Sequence, residues 1–142
     1  MFVARALNPF SPSGMTKSGT QTFNVGSWTP LTSWSADTTN YPGSSVASDQ
    51  LVMQGNKASV TLTANVAFTG GTLNVSHQCR IVDQSGNVLA TGSAVSANSG
   101  TCTASYTGSL VGVTSIGVQI ISGNASYGGT VTAGATTFLQ IT

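Results

Sequence analysis

The sequence predicts an all-β protein, an antiparallel sandwich of two sheets in the manner of a jelly roll, with about eight to ten strands and essentially no helix. Three observations support this fold class. Apolar and polar residues alternate over many short segments, turn-forming residues recur about every 8 to 12 residues, and no segment sustains the i, i+3, i+4 apolar spacing of an amphipathic helix. A chain of 142 residues suits a single domain of this kind.

The clearest strand is Val60–Phe68, VTLTANVAF, whose even-numbered residues are apolar and whose odd-numbered residues begin Thr61, Thr63, Asn65. This pattern predicts one buried and one solvated face. Turns are expected where Gly and Asn follow a strand, as at Gly86-Asn87. The other predicted strands are, in chain order, Phe2–Leu7, Gln21–Val25, Leu51–Met53, Thr72–Val82, Val88–Val95, Thr101–Thr107, Ser115–Ile121 and Thr130–Thr142.

The only histidine and both cysteines fall on the predicted buried faces. His77 and Cys79 share the parity of the apolar residues Leu73 and Ile81, and Cys102 has the apolar parity of its own strand. A lone histidine in such a position is usually a hydrogen-bonded core or interface residue. Two cysteines without metal-ligand spacing predict two buried thiols, and the sequence leaves open whether they are bridged.

Charged residues are rare. They make up 5% of the chain, against about 25% in an average globular protein, and there is no glutamate. Serine and threonine, 41 residues together, take their place. The four bases are scattered along the chain, so we expect no nucleic-acid binding: they are Arg5, Lys17, Lys57 and Arg80. A net charge of +1 also gives little repulsion between copies, which favours self-association or coverage by other proteins.

The residues that catalysis and metal binding need are missing. There is no GxSxG nucleophile motif, and a carboxylate pair would have to come from three aspartates, Asp37, Asp49 and Asp83. The sequence therefore predicts no enzyme, no catalytic residue, no cofactor and no metal site. We expect no secretory signal, because Arg5 interrupts the first apolar run, and no membrane span, because no run approaches about 18 apolar residues.

Large aromatic side chains are concentrated in residues 26–46, which contain Trp28, Trp34 and Tyr41. These groups either fill the sandwich and the contacts between copies, or form an exposed platform that stacks on sugar rings. The two tryptophans share parity, so on one extended strand they would face one side, but Pro30 favours an edge position or a bend. With Tyr127 in a Gly-rich loop and Phe138 opposite the apolar face of the last strand, they are the candidate interface or binding residues.

Two consecutive runs carry a family resemblance: WTPLTSWSADTTNYPGSSV, residues 28–46, and DQLVMQGNKASVTLTANVAF, residues 49–68. A Trp-rich stretch, a short strand ending in Gly and an alternating strand ending in Phe resemble small virion proteins of tailed phages that infect actinobacteria. The order also resembles the tumour-necrosis-factor and complement-type jelly roll. That fold pairs its first and last strands, here Phe2–Ala6 and Thr137–Ile141, and forms homotrimers.

The resemblance, which covers residues 21–142, implies a non-enzymatic structural protein of the virion, assembled in the host cytoplasm. The position we expect is the tail tip, as a minor tail protein that forms a trimeric knob. Two alternatives stay open: a capsid decoration protein that clamps capsomers, or a carbohydrate-binding adhesin module. The expected partners are further copies of the chain and other virion proteins, with a host cell-envelope glycan as a candidate. Residues 1–20 are expected to be an extended segment with the first strand, and residues 21–142 one β-sandwich.

Overall fold

A computed structural model describes residues 9–23, 26–70, 75–124 and 126–142. In these residues the chain forms fourteen strands and no helix, and every strand pair is antiparallel. The strands, numbered here in chain order, make two sheets of seven. The predicted all-β, two-sheet architecture is confirmed.

The first sheet is built around its longest strand, β7. Strand β11 pairs with one edge of β7, and both β13 and β14 pair with the other edge. Strand β2 pairs with the outer edge of β13, and β1 pairs with the outer edge of β14. Strand β4 pairs with the remaining edge of β1. The strands of this sheet are β1 (Ser13–Lys17), β2 (Gln21–Phe23), β4 (Trp34–Ala36), β7 (Val60–Thr69), β11 (Gly100–Gly108), β13 (Gly129–Val131) and β14 (Gly134–Ile141).

The second sheet is built around the pair β8 and β12. Strands β9 and β10 pair with the outer edge of β8, while β3 and β6 pair with β12, and β5 pairs with β6. The strands of this sheet are β3 (Thr29–Pro30), β5 (Val46–Ala47), β6 (Gln50–Val52), β8 (Ser76–Asp83), β9 (Val88–Thr91), β10 (Val95–Ser96) and β12 (Ser115–Ser122).

The core lies between the sheets, and strict alternation in the long strands creates it. All five even-numbered apolar residues of β7 are buried, while the odd-numbered residues from Thr61 to Ala67 are half-buried on the opposite face. Because β-branched and polar residues at alternate positions suit a strand with one wet face, this sequence fixes which side turns inward. The core is completed from β8, β12 and β14 by Cys79, Ile81, Ile116, Val118, Ile120, Leu139 and Ile141.

The last strand pairs with the first strand of the described residues, but this partner is not the predicted segment Phe2–Ala6. The strand that pairs with β14 is Ser13–Lys17, with Ser13 opposite Ile141 and Met15 opposite Leu139. Residues 2–6 lie outside the described residues. The segment SGMTK has weak strand propensity, and it becomes a strand because β14 and β4 pair with its two edges.

The described residues also contain more strands than the eight to ten that we predicted. The excess comes from pieces of two or three residues, such as β3, β5 and β10. A period of two residues cannot be recognised over so short a length, so alternation does not reveal them. These short strands lie where the chain crosses between the sheets or turns along an edge.

Candidate functional site

The outer face of the first sheet is a continuous uncharged surface. Its hydroxyl groups pair across strands: Thr103 Oγ1 donates to Asn65 Oδ1 at 2.7 Å, and Thr61 and Thr107 share a hydrogen bond of 3.2 Å. We call this surface the Ser/Thr face, and it consists of Thr61, Thr63, Asn65, Thr101, Thr103, Ser105, Thr107, Phe138 and Gln140.

Phe138 is the large apolar side chain of the Ser/Thr face. It is half-buried beside Thr16, its register partner on β1, and it lines a cleft of about 290 Å³. Asp37 and Asn40 form the far wall of this cleft. The Asn40 side chain donates to Asp37 Oδ2 at 2.9 Å, and this hydrogen bond lowers the pKa of Asp37. The cleft therefore joins an aromatic ring to an ionised, already hydrogen-bonded carboxylate.

Tyr41 lies beside this cleft and requires a glycine beneath it. A Cβ on Gly14 would come within 2.5 Å of Tyr41 Cδ2, so the ring occupies the space that any other residue at position 14 would fill. Gly14 is the register partner of Gln140, whose side chain also lines the cleft. The structure thus brings Tyr41 and Phe138, two of the five candidate residues, to one end of the Ser/Thr face.

The two tryptophans do not share a side, because Trp34 lies in the first sheet and Trp28, just before β3, packs against the second. Trp34 on β4 is 7% exposed and points into the core, where its Nε1 donates to Leu31 O at 2.9 Å. Trp28 is half-buried against the second sheet, with the Arg80 guanidinium 4.3 Å from its ring centre. The chain crosses from one sheet to the other after Pro30, which lies in the two-residue strand β3, as the predicted edge or bend allows.

Tyr127 is separate from the other candidates. It lies between β12 and β13 with its side chain exposed, and its carbonyl oxygen accepts a hydrogen bond from the Ser122 hydroxyl. No hydrogen bond or ring contact joins it to the other four candidate residues, all of which the structure describes. The five candidates therefore form one pair on the Ser/Thr face and three unconnected aromatic groups.

His77 is buried in the core, but its side chain makes none of the hydrogen bonds that we expected. Its ring is fully buried, stacks on Phe68 at 4.4 Å and meets Phe23 edge-on at 5.4 Å. Neither ring nitrogen has a hydrogen-bond partner in the described residues. Burial lowers the pKa of His77, although the nearby backbone of Val75 and Val95 opposes the shift. The ring is therefore neutral and inaccessible, as packing requires.

The two cysteines are buried as separate thiols. Burial raises the pKa of Cys79 to about 12 and that of Cys102 to about 11, and Cys102 Sγ donates to the carbonyl oxygen of His77 at 3.3 Å. Thiols with such pKa values stay protonated near neutral pH, so they are poor nucleophiles. In the described part of the chain no three His, Cys, Asp or Glu side chains come close enough to hold a metal ion.

Sequence reasoning missed one buried charge, at Lys17. This residue continues the inward parity of Met15, and its ammonium donates to Gly19 O and to Thr32 O, each at 2.7 Å. Burial lowers the pKa of Lys17, and the nearby Asp49 carboxylate opposes that shift. The alternation in SGMTK was the available signal, because Met15 and Lys17 are two residues apart. The lysine ties the chain between β3 and β4 to the end of β1.

Other solved structures share this architecture over nearly the whole chain. The structure of Eiger TNF from S. frugiperda has a TM-score of 0.59 and 8% identity, with 94% of this chain and 91% of that chain covered. Murine APRIL, crystallised at pH 8.5, has a TM-score of 0.62 and 14% identity, with 94% and 98% covered. The infectious bursal disease virus Gt strain structure gives a TM-score of 0.43 and 15% identity over 92% and 31%, which is too low to support an argument.

The other two comparisons add no relatives: no protein-family model and no curated protein sequence matches the chain. Within the described residues, no helix is long and apolar enough to cross a membrane. Identities of 8% and 14% concern the fold alone. The chain therefore has a tumour-necrosis-factor-like jelly-roll fold.

Proposed function

We propose that this chain is a non-enzymatic structural protein of a tailed-phage virion, a trimeric β knob of the tail tip whose copies meet through the Ser/Thr face. The observation that carries the proposal is the chemistry of that face. It spans β7, β11 and β14, contains no charged side chain and has Phe138 at one end.

The Ser/Thr face can be covered by another copy at low electrostatic cost. Burying a charge is expensive unless it is paired; none of the residues that define this face is charged, and Asp37, in the cleft that Phe138 lines, is already hydrogen-bonded by Asn40. Hydrogen bonds within the sheet already engage the hydroxyl groups of Thr61, Thr103 and Thr107 and the side-chain oxygen of Asn65. Phe138, half-buried in its cleft, supplies an aromatic group of the kind that dominates interface energetics.

Fold and sequence each contribute one part of the proposal. The fold is that of tumour-necrosis-factor-like proteins, a group that forms homotrimers, and this supports three copies. The resemblance of residues 28–68 to small phage virion proteins supports the virion as the site of assembly. A chain whose one histidine and two thiols are all buried offers little for catalysis, which agrees with a structural role.

A capsid decoration protein is the second candidate, and the structure limits the segment that would clamp a capsomer. The segment that would act as the clamp is residues 1–20, which we expected to be extended. Within it, residues 13–17 form strand β1 and are paired on both edges, so they cannot extend onto a neighbour. Residue 11 is also tied down, because the Ser11 N–H donates to Gln54 O at 2.8 Å. Only residues before this point remain for such a clamp, which favours the knob.

The first experiment is the mass in solution, measured by light scattering after size exclusion, of the wild-type chain and two variants. Thr63→Arg places a charge at the centre of the Ser/Thr face, where Thr63 lies between Ser105 and Gln140. Val88→Arg, the control, adds the same side chain at a position 48% exposed on β9 of the second sheet. We expect the wild type and Val88→Arg to give three times 14.3 kDa, and Thr63→Arg to give a monomer.

The control also makes the result decisive. A monomeric wild type would refute the free-standing trimer, and a monomeric Val88→Arg beside a trimeric Thr63→Arg would place the contact on the second sheet instead. The position in the virion needs a separate measurement, in which a gold-labelled antibody against this chain is located on purified particles by electron microscopy. Label at the tail tip supports the proposal, and label over the capsid surface supports decoration.

A further inference from the structure

A second cleft, of about 320 Å³, opens on the outer face of the second sheet, opposite to the Ser/Thr face. The lining comes from the crossing segment at Pro30 and Thr32, from the turn between β5 and β6, which is hydrogen-bonded to that segment, and from the turn after β8. The floor is the outward side of β8 and β12, including Gly117 and Gln119. None of the five aromatic candidates lines this cleft, so sequence reasoning did not find it.

The cleft exists because β12 has a glycine at its centre. Gly117 has the outward parity of Ser115 and Gln119, while the residues between them, Ile116 and Val118, point into the core. A Cβ at position 117 would lie 3.1 Å from Gln50 Nε2, so a larger side chain would fill this space. A glycine inside a strand weakens it, and often marks a close approach by another group.

Three polar atoms of the lining have no hydrogen bond to the residues that the structure describes. Gln50 Oε1 accepts from Ser115 Oγ at 2.6 Å, which leaves the Nε2 amide free. Gln119 Oε1 accepts from Arg80 Nε at 2.7 Å, which leaves its Nε2 free. Asp49 Oδ1 accepts from the Ser33 N–H at 2.8 Å, which leaves Oδ2 free. The cleft thus offers two amide donors and one carboxylate acceptor to a ligand.

The walls that carry these atoms are held in place. Ser48 and Asp49 form a two-residue turn with φ values of 50° and 58°, and Ser33, which Asp49 contacts, has φ of 59°. Such backbone conformations in residues other than glycine persist where the surroundings enforce them. On the opposite side, Arg80 holds Gln119 while its guanidinium stacks on Trp28. A ligand would therefore meet oriented groups and would order few side chains on binding.

We propose that this cleft binds a neutral saccharide through these amide and carboxylate groups. Adjacent sugar hydroxyls both donate and accept, which matches two amide N–H groups beside a carboxylate oxygen. Anionic ligands are disfavoured, because Asp49 and Asp83 both line the cleft and the cations nearby are already engaged, Arg80 by Gln119 and Trp28, and Lys17 by the carbonyl oxygens of Gly19 and Thr32. The proposal does not depend on the trimer, since the cleft lies on the sheet that the Ser/Thr face leaves uncovered.

The test is binding of the wild-type chain to an array of neutral and anionic oligosaccharides, followed by calorimetry with the best neutral glycan. Gln119→Ala removes one donor, and we expect about tenfold weaker binding. Gly117→Val fills the floor with a residue suited to a strand, and we expect binding to disappear while the trimer mass stays unchanged. Gln78→Ala is the matched control, because Gln78 lies outward on β8 outside the cleft and binds Gly92 O.

Three outcomes would overturn the assignment. These are binding to no glycan on the array, preference for anionic over neutral glycans, and affinities of Gln119→Ala and Gly117→Val equal to that of the wild type. Should Gly117→Val fail to fold, Gln119→Ala still decides the question, because its side chain lies outside the core. The measured mass reports separately on self-association, so failure of one proposal does not imply failure of the other.

Discussion

The two sheets use their outer faces in opposite ways. The first sheet turns Trp34 inward and leaves Ser, Thr and Asn outside, with hydroxyl and amide groups paired across strands. The second sheet has Trp28 and Arg80 on its outer side, beside a cleft with unpaired amide groups. The residues of the Ser/Thr face are uncharged, whereas the outer side of the second sheet has charged side chains and amide groups without a hydrogen-bond partner.

This difference teaches that a chain with 5% charged residues can still separate its surfaces by chemistry. An uncharged face on which threonine hydroxyls pair across strands suits a flat contact with another copy, because no charge of that face must be desolvated. A face with oriented, unpaired donors suits a small polar ligand. The predictions below test whether this separation holds, starting with the largest effect.

The tryptophans give the sharpest contrast between inside and outside. Trp34→Ala should lower the free energy of unfolding by about 3–5 kcal/mol, because it leaves a cavity between the sheets. Trp28→Ala should cost about 1–2 kcal/mol, because Trp28 is half-buried and loses a cation–π contact with Arg80. Chemical denaturation of both variants measures the difference. Equal losses would mean that the outer tryptophan is as much part of the core as the inner one.

The contact between the sheets should weaken in acid, because His77 lies there with a lowered pKa. Above pH 6.5 neither the folded nor the unfolded chain binds a proton at this ring. Below pH 6.5, the ordinary pKa of histidine, the unfolded chain takes up the proton first. The free energy of unfolding should then fall by up to about 1.4 kcal/mol per pH unit until the pH passes the folded-state pKa.

His77→Leu is the control for this acid effect. The ring packs against the aromatic rings of Phe23 and Phe68, and the Cys102 thiol donates to the backbone carbonyl oxygen of His77. Asp37 and Asp83, whose pKa values are lowered by hydrogen bonds from Asn40 and Asn87, lose their contributions only below about pH 3.8. Urea denaturation of the variant between pH 4.5 and 7 should therefore show little change. If the free energy of unfolding fell equally steeply with decreasing pH in the wild type and in His77→Leu, the acid effect would come from a group other than His77.

The smallest expected effect concerns the turn that walls the second cleft. Ser48→Gly should raise the free energy of unfolding by about 0.5–1 kcal/mol, because glycine adopts the positive φ of this position without strain. Asp49→Gly relieves the same strain but removes the acceptor of the Ser33 N–H, so its net gain should be close to zero. Thermal denaturation distinguishes the two. A loss of stability in Ser48→Gly would mean that the turn is not strained.

The long strands were predictable, because alternation over eight or more residues fixes both the strand and its buried side. In β7 and β8 this gave the inward positions of Phe68, His77 and Cys79 correctly. Strand β1 was missed, because its pairing on both edges, and not its propensity, makes it a strand. Pairing between residues far apart in sequence leaves no local pattern to read.

The candidate sites were less predictable, because they depend on how the chain crosses between sheets. On one extended strand, equal parity would put Trp28 and Trp34 on one side, but the crossing after Pro30 leaves Trp28 against the second sheet and puts Trp34 in the first. Phe138 was correctly expected on the face opposite Leu139 and Ile141. The second cleft had one signal in the sequence, the isolated Gly117 inside the most apolar strand, and its meaning depends on which side chains surround it.

The position of β14 has a consequence for the order in which the domain forms. It pairs with β7 on one side and β1 on the other. Lys17 ends β1 and Gly134 begins β14, so residues 18–133 must all be synthesised before β1 gains this partner. Closing so long a loop is entropically costly and slows folding. Insertion of β14 should therefore be a late step on the ribosome, when the edges of β1 and β7 are still open to pairing with another copy.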